Sequence, residues 1–227
     1  MDVSCDFTLR RGGFALSAAL DLPGGASLAL IGPSGAGKSL FLSALCGFET
    51  IDGRVAFGGQ DMRLTPAETR PLSVMFQSHN LFPHLSVFDN VALGRDPGLR
   101  LGARDRADVE AALATVDLAG FETRMPDALS GGQASRVALA RAVLRDQPIL
   151  LLDEPFSALG PRLRRDMLAM VTNLQRARGF TLIYVTHDPA EAMSANVTSF
   201  VNNGRVHAPQ DTSKLFDTPP DALRDYL

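Results

Sequence analysis

Gly32-Pro33-Ser34-Gly35-Ala36-Gly37-Lys38-Ser39 fits the pattern G-x-x-x-x-G-K-[ST] without exception. Glycines in such a loop let backbone N–H groups turn inward around phosphate oxygens, and the helix that follows adds the positive end of its dipole. Lys38 can reach β- and γ-phosphates, the Ser39 hydroxyl can ligate Mg²⁺, and Leu40 extends the nucleotide-contacting stretch. A second chemical feature is the acid pair Asp153-Glu154, which follows the apolar run Ile149 to Leu152. Acids can end a buried strand simply because solvent begins there. Beside a phosphate loop they can divide two tasks: Asp153 orients Mg²⁺, and Glu154 polarises a water for attack on a γ-phosphate. A third feature is Leu129-Ser130-Gly131-Gly132-Gln133, ahead of a helical run from Ala134 to Leu144. Ser130 is a good N-cap and the glycines leave backbone N–H groups uncovered. Taken alone, this segment reads equally as a second anion site or as an ordinary capped helix.

The elements around these residues can be placed by periodicity. Asp6 to Leu9 and Phe14 to Leu22 read as strands joined by a Gly12-Gly13 turn. Ser27 to Ile31 is a buried strand entering the glycine loop, and a helix leaves it over Ser39 to Leu45. Ile51 to Phe57 with Gly58-Gly59 forms a further hairpin, and Leu72 to Phe76 is a strand. From Gln77 to Arg145 the pattern turns helical and alanine-rich, as in Ala107 to Val116, which predicts a helical lobe inserted into an α/β core. Ile149 to Leu152 and Thr181 to Val185 are strands, and Leu163 to Arg178 is an amphipathic helix between them. Val197 to Val201 and Val206 close the chain as a hairpin around Asn203-Gly204. Strands alternating with helices predict a mostly parallel sheet covered on both faces. The expected division is a core of residues 1–76 and 146–227 and a helical lobe of 77–145, within one domain.

Composition narrows the function classes. The chain has 227 residues, of which 45% are apolar and 21% charged, so it can bury a large core. The net charge of −3 argues against nucleic acid as the main partner. Only two lysines are present, Lys38 and Lys214, and one of them stands where the phosphate loop requires it. Cys5 and Cys46 are too few for a disulfide framework or a structural zinc site. Arg10-Arg11 before Gly12 to Leu20 faintly resembles a twin-arginine export signal, but Asp21 interrupts the apolar part and the phosphate loop follows at Gly32. No run reaches the ~18 apolar residues of a membrane span.

In their order and spacing, Gly32 to Ser39, Leu129 to Gln133 and Ile149 to Glu154 resemble the ATPase subunits of ABC transporters. The resemblance covers essentially the whole chain, and Leu-Ser-Gly-Gly-Gln is highly specific in this company. It implies a RecA-like P-loop NTPase core with an N-terminal antiparallel β subdomain and an inserted α-helical subdomain. It also implies ATP with Mg²⁺, and a head-to-tail homodimer that holds each ATP between one phosphate loop and Ser130, Gly131, Gly132 and Gln133 of the other subunit. Gln77 matches the family's Q-loop glutamine, which contacts Mg²⁺ or the attacking water. His187 matches the switch histidine that touches the γ-phosphate. Asn80 to Val87 matches the segment lining the groove for a coupling helix of the membrane permease. The subunit is then expected at the cytoplasmic face of the inner membrane, linked only indirectly to a solute-binding protein and not to nucleic acid.

Three positions depart from the family pattern. No aromatic residue stands near Arg11, where the adenine-stacking residue is expected, which leaves Phe7, Phe14 or Arg11 itself as the platform. The D-loop reads Ser157-Ala158-Leu159-Gly160 and lacks the usual terminal Asp. The signature is followed by Ala134 and Ser135 rather than by the usual polar residues. Within the family, Arg70 to Gln77 and Asn80 to Leu85 resemble importer ATPases. Asn90 to Gly94 and Asp96 to Leu99 are similar to the thiamine-importing branch, while Phe7 to Leu22 looks somewhat like the molybdate type.

Overall fold

The computed structural model describes residues 1–76, 81–224 and 226. Gln77 and Asn80 lie outside the described residues. The chain opens with β1 (Val3–Arg11) and β2 (Phe14–Leu22), paired antiparallel from Val3↔Leu22 to Arg11↔Phe14. Alternate residues of each strand point inward, among them Val3, Cys5, Phe7 and Leu9 on β1. Five consecutive buried residues form β3 (Ser27–Ile31), and α1 (Lys38–Cys46) starts directly after the glycine loop. Then come β4 (Asp52–Phe57), β5 (Gln60–Asp61) and a short β6 (Ser73–Met75).

Three mutually packed helices follow: α2 (Val87–Ala92), α3 (Ala103–Thr115) and α4 (Gly131–Leu144). The sequence pattern does not single out α2. Buried Asn90 on this helix binds the backbone of Phe82, Leu85 and Ser86 and so shapes the loop before it. The chain then runs through β7 (Ile149–Asp153), α5 (Pro161–Arg178), β8 (Thr181–Thr186), α6 (Pro189–Ala192) and β9 (Val197–Asn202). It ends with β10 (Arg205–Val206), β11 (Gln210–Asp211), α7 (Thr212–Asp217) and α8 (Asp221–Arg224).

The main path of the sheet is β5-β4-β1-β2-β10-β9-β3-β8-β7-β6, with β11 paired to β9. Strands β9, β3, β8, β7 and β6 are parallel neighbours, and β5, β4, β1 and β2 are antiparallel. The two-residue strand β10 joins these regions, parallel to β2 and antiparallel to β9. The core strands are buried on both faces. Leu150, Leu152, Leu182 and Tyr184 pack with the helices α2 to α5, whereas Ile149, Leu151, Ile183 and Val185 pack with α1 and the first hairpin. This is the two-sided burial expected of a parallel sheet.

One buried arginine organises the underside of the core. Arg70 is 5% exposed and donates to the carbonyls of Ala44, Leu45, Met62 and Thr65. Two of these acceptors lie in the last turn of α1, where a cation also meets the negative end of the helix dipole. Burial holds its pKa below the usual arginine value. Arg70→Ala removes all four of these bonds, leaving Ala44 and Met62 only the backbone donors Gly47 and Thr65, and we expect a loss of about 3 kcal/mol in urea unfolding. Arg70→Lys should recover only part of it, because an ammonium lacks the planar fork. An Ala variant that unfolds at the wild-type urea concentration would show that the carbonyls find other partners.

Candidate active site

Strand register brings the chemically active residues together. Across the parallel strands Ile31 is level with Thr186, and Val185 with Asp153. The phosphate loop, the Asp153-Glu154 pair and His187 therefore leave the same edge of the sheet, the carboxyl end where α/β folds bind ligands.

The loop itself is set by close approach and by backbone shape. A Cβ on Gly32 would stand 2.0 Å from the carbonyl oxygen of Val201. Gly37 ends the loop at φ 107, a left-handed conformation that permits the turn into α1. The Ala36 N–H closes a turn onto Pro33 O at 3.2 Å, and its side chain is buried. Lys38 is only 6% exposed, and its ammonium donates to the carbonyls of Gly32 at 2.7 Å and Pro33 at 2.8 Å. Burial lowers its pKa, while Glu154 and Asp153 act in the opposite direction. Ser39 donates to Asp153 Oδ1 at 2.9 Å. This puts a hydroxyl and a carboxylate side by side, two hard oxygen donors of the kind Mg²⁺ takes. Burial raises the pKa of Asp153, only partly offset by the Ser39 hydrogen bond.

Glu154 has φ 43, a left-handed conformation uncommon for a residue with a side chain. Such geometry costs on the order of 1 kcal/mol or more and clusters at functional sites. Its carboxylate lies 3.7 Å from His187 Nδ1. A pocket of about 460 Å³ opens beside the loop, lined by Arg11, Phe14, Ser34, Gly35, Gly37, Lys38, Ser39, Leu40, Ser43 and Glu154. Of the residues considered for base stacking, Arg11 and Phe14 line this pocket and Phe7 does not. Phe7 is 2% exposed and stacked on Phe41 with ring centroids 6.1 Å apart, because it falls on the inward-facing positions of β1. Arg11 is held by Glu49 at 3.1 Å.

Ser130 to Gln133 do not line this pocket. Helix α4 begins at Gly131, a turn earlier than the alanine run suggests, because Ser130 and Gln133 cap it reciprocally. Gln133 N–H donates to Ser130 Oγ, and Ser130 N–H donates to Gln133 Oε1. Gly132 is buried, and a Cβ there would come within 2.5 Å of Leu163 on α5.

The sequence reading missed several residues that hold the site. Tyr184 Oη donates to Glu191 O, and Thr186 Oγ1 donates to a Glu191 carboxylate oxygen at 2.5 Å. Arg164 pairs with the same carboxylate at 3.5 Å and donates to the carbonyl of Leu159, so α5 is linked to the turn bearing His187. Helix α5 starts from Gly160, whose backbone is extended and which provides no side-chain cap. Nothing in the spacing of Arg164 and Glu191 marks them as partners, since their proximity follows from β7 and β8 being neighbours in the sheet.

A model of the ABC transporter family matches residues 17–157. The thiamine import ATP-binding protein ThiQ of Cereibacter sphaeroides is 50% identical over 222 residues, 96% of each chain. The protein of the same name from Ruegeria sp. is 45% identical over 224 residues, covering 98% of this chain and 97% of its own. A solved structure of the ATP-binding cassette MJ0796, a dimeric post-hydrolysis state bound to ADP and Pi, superposes with a TM-score of 0.77 at 27% identity. That match spans 92% of this chain and 98% of the other.

Two expectations follow from this geometry. A carboxyl whose folded pKa is raised costs stability once the pH exceeds that value, since the native state must then hold a buried charge. Asp153→Asn should therefore melt higher than wild type at pH 7 without nucleotide, with the gain fading as pH falls through the carboxylate range. An equal or lower melting temperature at pH 7 would contradict it. Gly160→Asp meets open space and adds an N-cap to α5, for an expected gain of about 0.5 kcal/mol in chemical unfolding. No gain would mean that the carboxylate does not reach the helix N–H groups.

Proposed function

We propose, because the chain belongs to the ABC transporter family, that it is the ATP-hydrolysing subunit of a thiamine importer. The substrate assignment is supported by relatives at 50% and 45% identity over nearly the whole chain, both named for thiamine import. The observation that carries the mechanism is the separation of two anion-binding features on one chain. The Lys38 loop opens onto its pocket with Glu154, and Ser130 to Gln133 do not line that pocket. Two subunits placed head to tail bring one feature of each kind to every ATP, with Ser130, Gly131, Gly132 and Gln133 closing over the partner's nucleotide. The dimeric form of the MJ0796 cassette supports this arrangement.

In this reading the loop from Gly32 to Leu40, through its backbone N–H groups from Ser34 onward, and the Lys38 ammonium hold the phosphates. Lys38 exchanges its two carbonyl partners for phosphate oxygens. Ser39, Asp153 and Gln77 would hold Mg²⁺, which would supply charge neutralisation at the phosphate oxygens. Glu154 accepts a proton as water oxygen bonds to the γ-phosphorus, and the bond to the bridging oxygen breaks to release ADP and phosphate. His187, 3.7 Å from Glu154, fixes that carboxylate and meets the γ-phosphate. Arg11 and Phe14 flank the base.

Residues 77–145 serve as the lobe that reads the permease. Within it Phe82 is 45% exposed on the loop before α2, and Phe48 and Leu64 of the core are 56% and 90% exposed. Large apolar side chains left in water suit a docking surface for a membrane permease. Among the described residues no helix is long and apolar enough to cross a membrane. The subunit accordingly sits at the cytoplasmic face of the inner membrane through its partner, and meets a solute-binding protein only indirectly.

Glu154→Gln should bind ATP normally yet hydrolyse it about 10²- to 10⁴-fold more slowly and accumulate as a nucleotide-bound dimer. Wild-type turnover in that variant would remove the general-base role. Uptake of labelled thiamine by cells lacking the gene should be defective, restored by the wild-type gene and not by Lys38→Ala. A molybdate defect with intact thiamine uptake would instead favour the other importer branch.

A further inference from the structure

The turn bearing His187 is held from two sides. On one side stand the bonds already described, from Tyr184, Thr186 and Arg164 to Glu191, and the Asp188 N–H donates to Thr186 Oγ1 at 3.0 Å. All of these bypass His187 itself. The backbone carbonyl of His187 is taken by a residue 39 positions later: Tyr226 Oη donates to it at 2.9 Å. The phenol ring lies against Phe200, with centroids 6.3 Å apart, and Phe200 in turn stacks on His207 at 5.9 Å. The chain is brought to this point by α8, whose Leu223 is fully buried in the core cluster. Burial, with the charges of Glu154 and Asp188, raises the phenol pKa, so the proton that makes the bond stays in place at neutral pH.

We propose that Tyr226 is a positioning residue for hydrolysis, anchoring the chain end to the His187 backbone so that the imidazole stays over Glu154. It acts through His187 and not on the nucleotide, and the inference rests on the role given to His187 above. A ring packed against Phe200 of β9 and a hydroxyl bonded to the turn after β8 span two strands that lie on either side of β3. The bond thus fixes the histidine relative to the strand that feeds the phosphate loop. A single neutral hydrogen bond biases such a turn by a factor of several in population.

The test is steady-state ATP hydrolysis by the full chain carrying Tyr226→Phe, which keeps the ring on Phe200 and removes one oxygen. We expect kcat to fall about fivefold, with the KM for ATP and the melting temperature unchanged. A double variant, His187→Ala with Tyr226→Phe, should lose nothing beyond His187→Ala alone, because both changes act on one group. A merely structural tyrosine would give losses that add. Hydrolysis that depends on Lys38 and His187 but is untouched by Tyr226→Phe overturns this inference alone. Wild-type protein without Lys38-dependent hydrolysis overturns the proposed function, and this inference with it.

Discussion

A buried ammonium sets the terms for the rest of the structure. Lys38 is 6% exposed and sits where two helix-free strand ends and a glycine loop converge. A charge there must be satisfied at all times. It is met by the carbonyls of Gly32 and Pro33, with Asp153 and Glu154 close enough to oppose the effect of burial on its pKa. That arrangement needs β3 and β7 separated only by β8, and it needs all three strands to end level. The register Ile31↔Thr186 and Asp153↔Val185 meets both conditions. The sheet order is thus what puts a cation, a hydroxyl, two carboxylates and an imidazole within reach of one phosphate chain.

Stored strain accompanies this arrangement. Glu154 holds a left-handed backbone, and the turn N–H of Ser157 reaches its carbonyl at 3.3 Å. Asp153 keeps a carboxyl in a setting that disfavours its charge. Such features lower the stability of the fold and are kept where electrostatic groups must already point at a reacting centre. The same logic extends to α5, where Arg164 links the loop before the helix to the turn bearing His187 through Glu191. With Gly160 in place of an acidic cap, this arginine is the polar tie that α5 offers to both loops.

On the proposed function, the phosphate loop and the Ser130 segment serve different nucleotides, since Ser130 to Gln133 do not line the pocket beside Lys38. The phosphate loop gains nothing from Ser130 of its own chain, and the Ser130-Gln133 capping box is already formed without a ligand. A helix start that is prebuilt and exposed loses little order on meeting an anion from outside. In that reading assembly, not rearrangement, is the economical way to surround a nucleotide.

The amino-acid sequence by itself determined the local elements and the identity of the chemical groups. Strand β3 is found at the residues the apolar run marks, and the loop, the acid pair and the capped helix were legible because each is a short contiguous pattern with its own backbone requirement. The alanine run alone marks α4 only from Ala134, and Ser130 as N-cap places its start at Gly131. Tertiary structure alone decided what depends on distant pairings. It turned Phe7 inward and left Arg11 and Phe14 at the pocket, because the alternation along β1 is registered against β2 and β4. It inserted β10 between β2 and β9, and it brought Arg70 under α1, Arg164 to Glu191, and Tyr226 to His187. None of these contacts has a sequence period, because each joins residues whose separation along the chain is unrelated to their distance in the folded sheet.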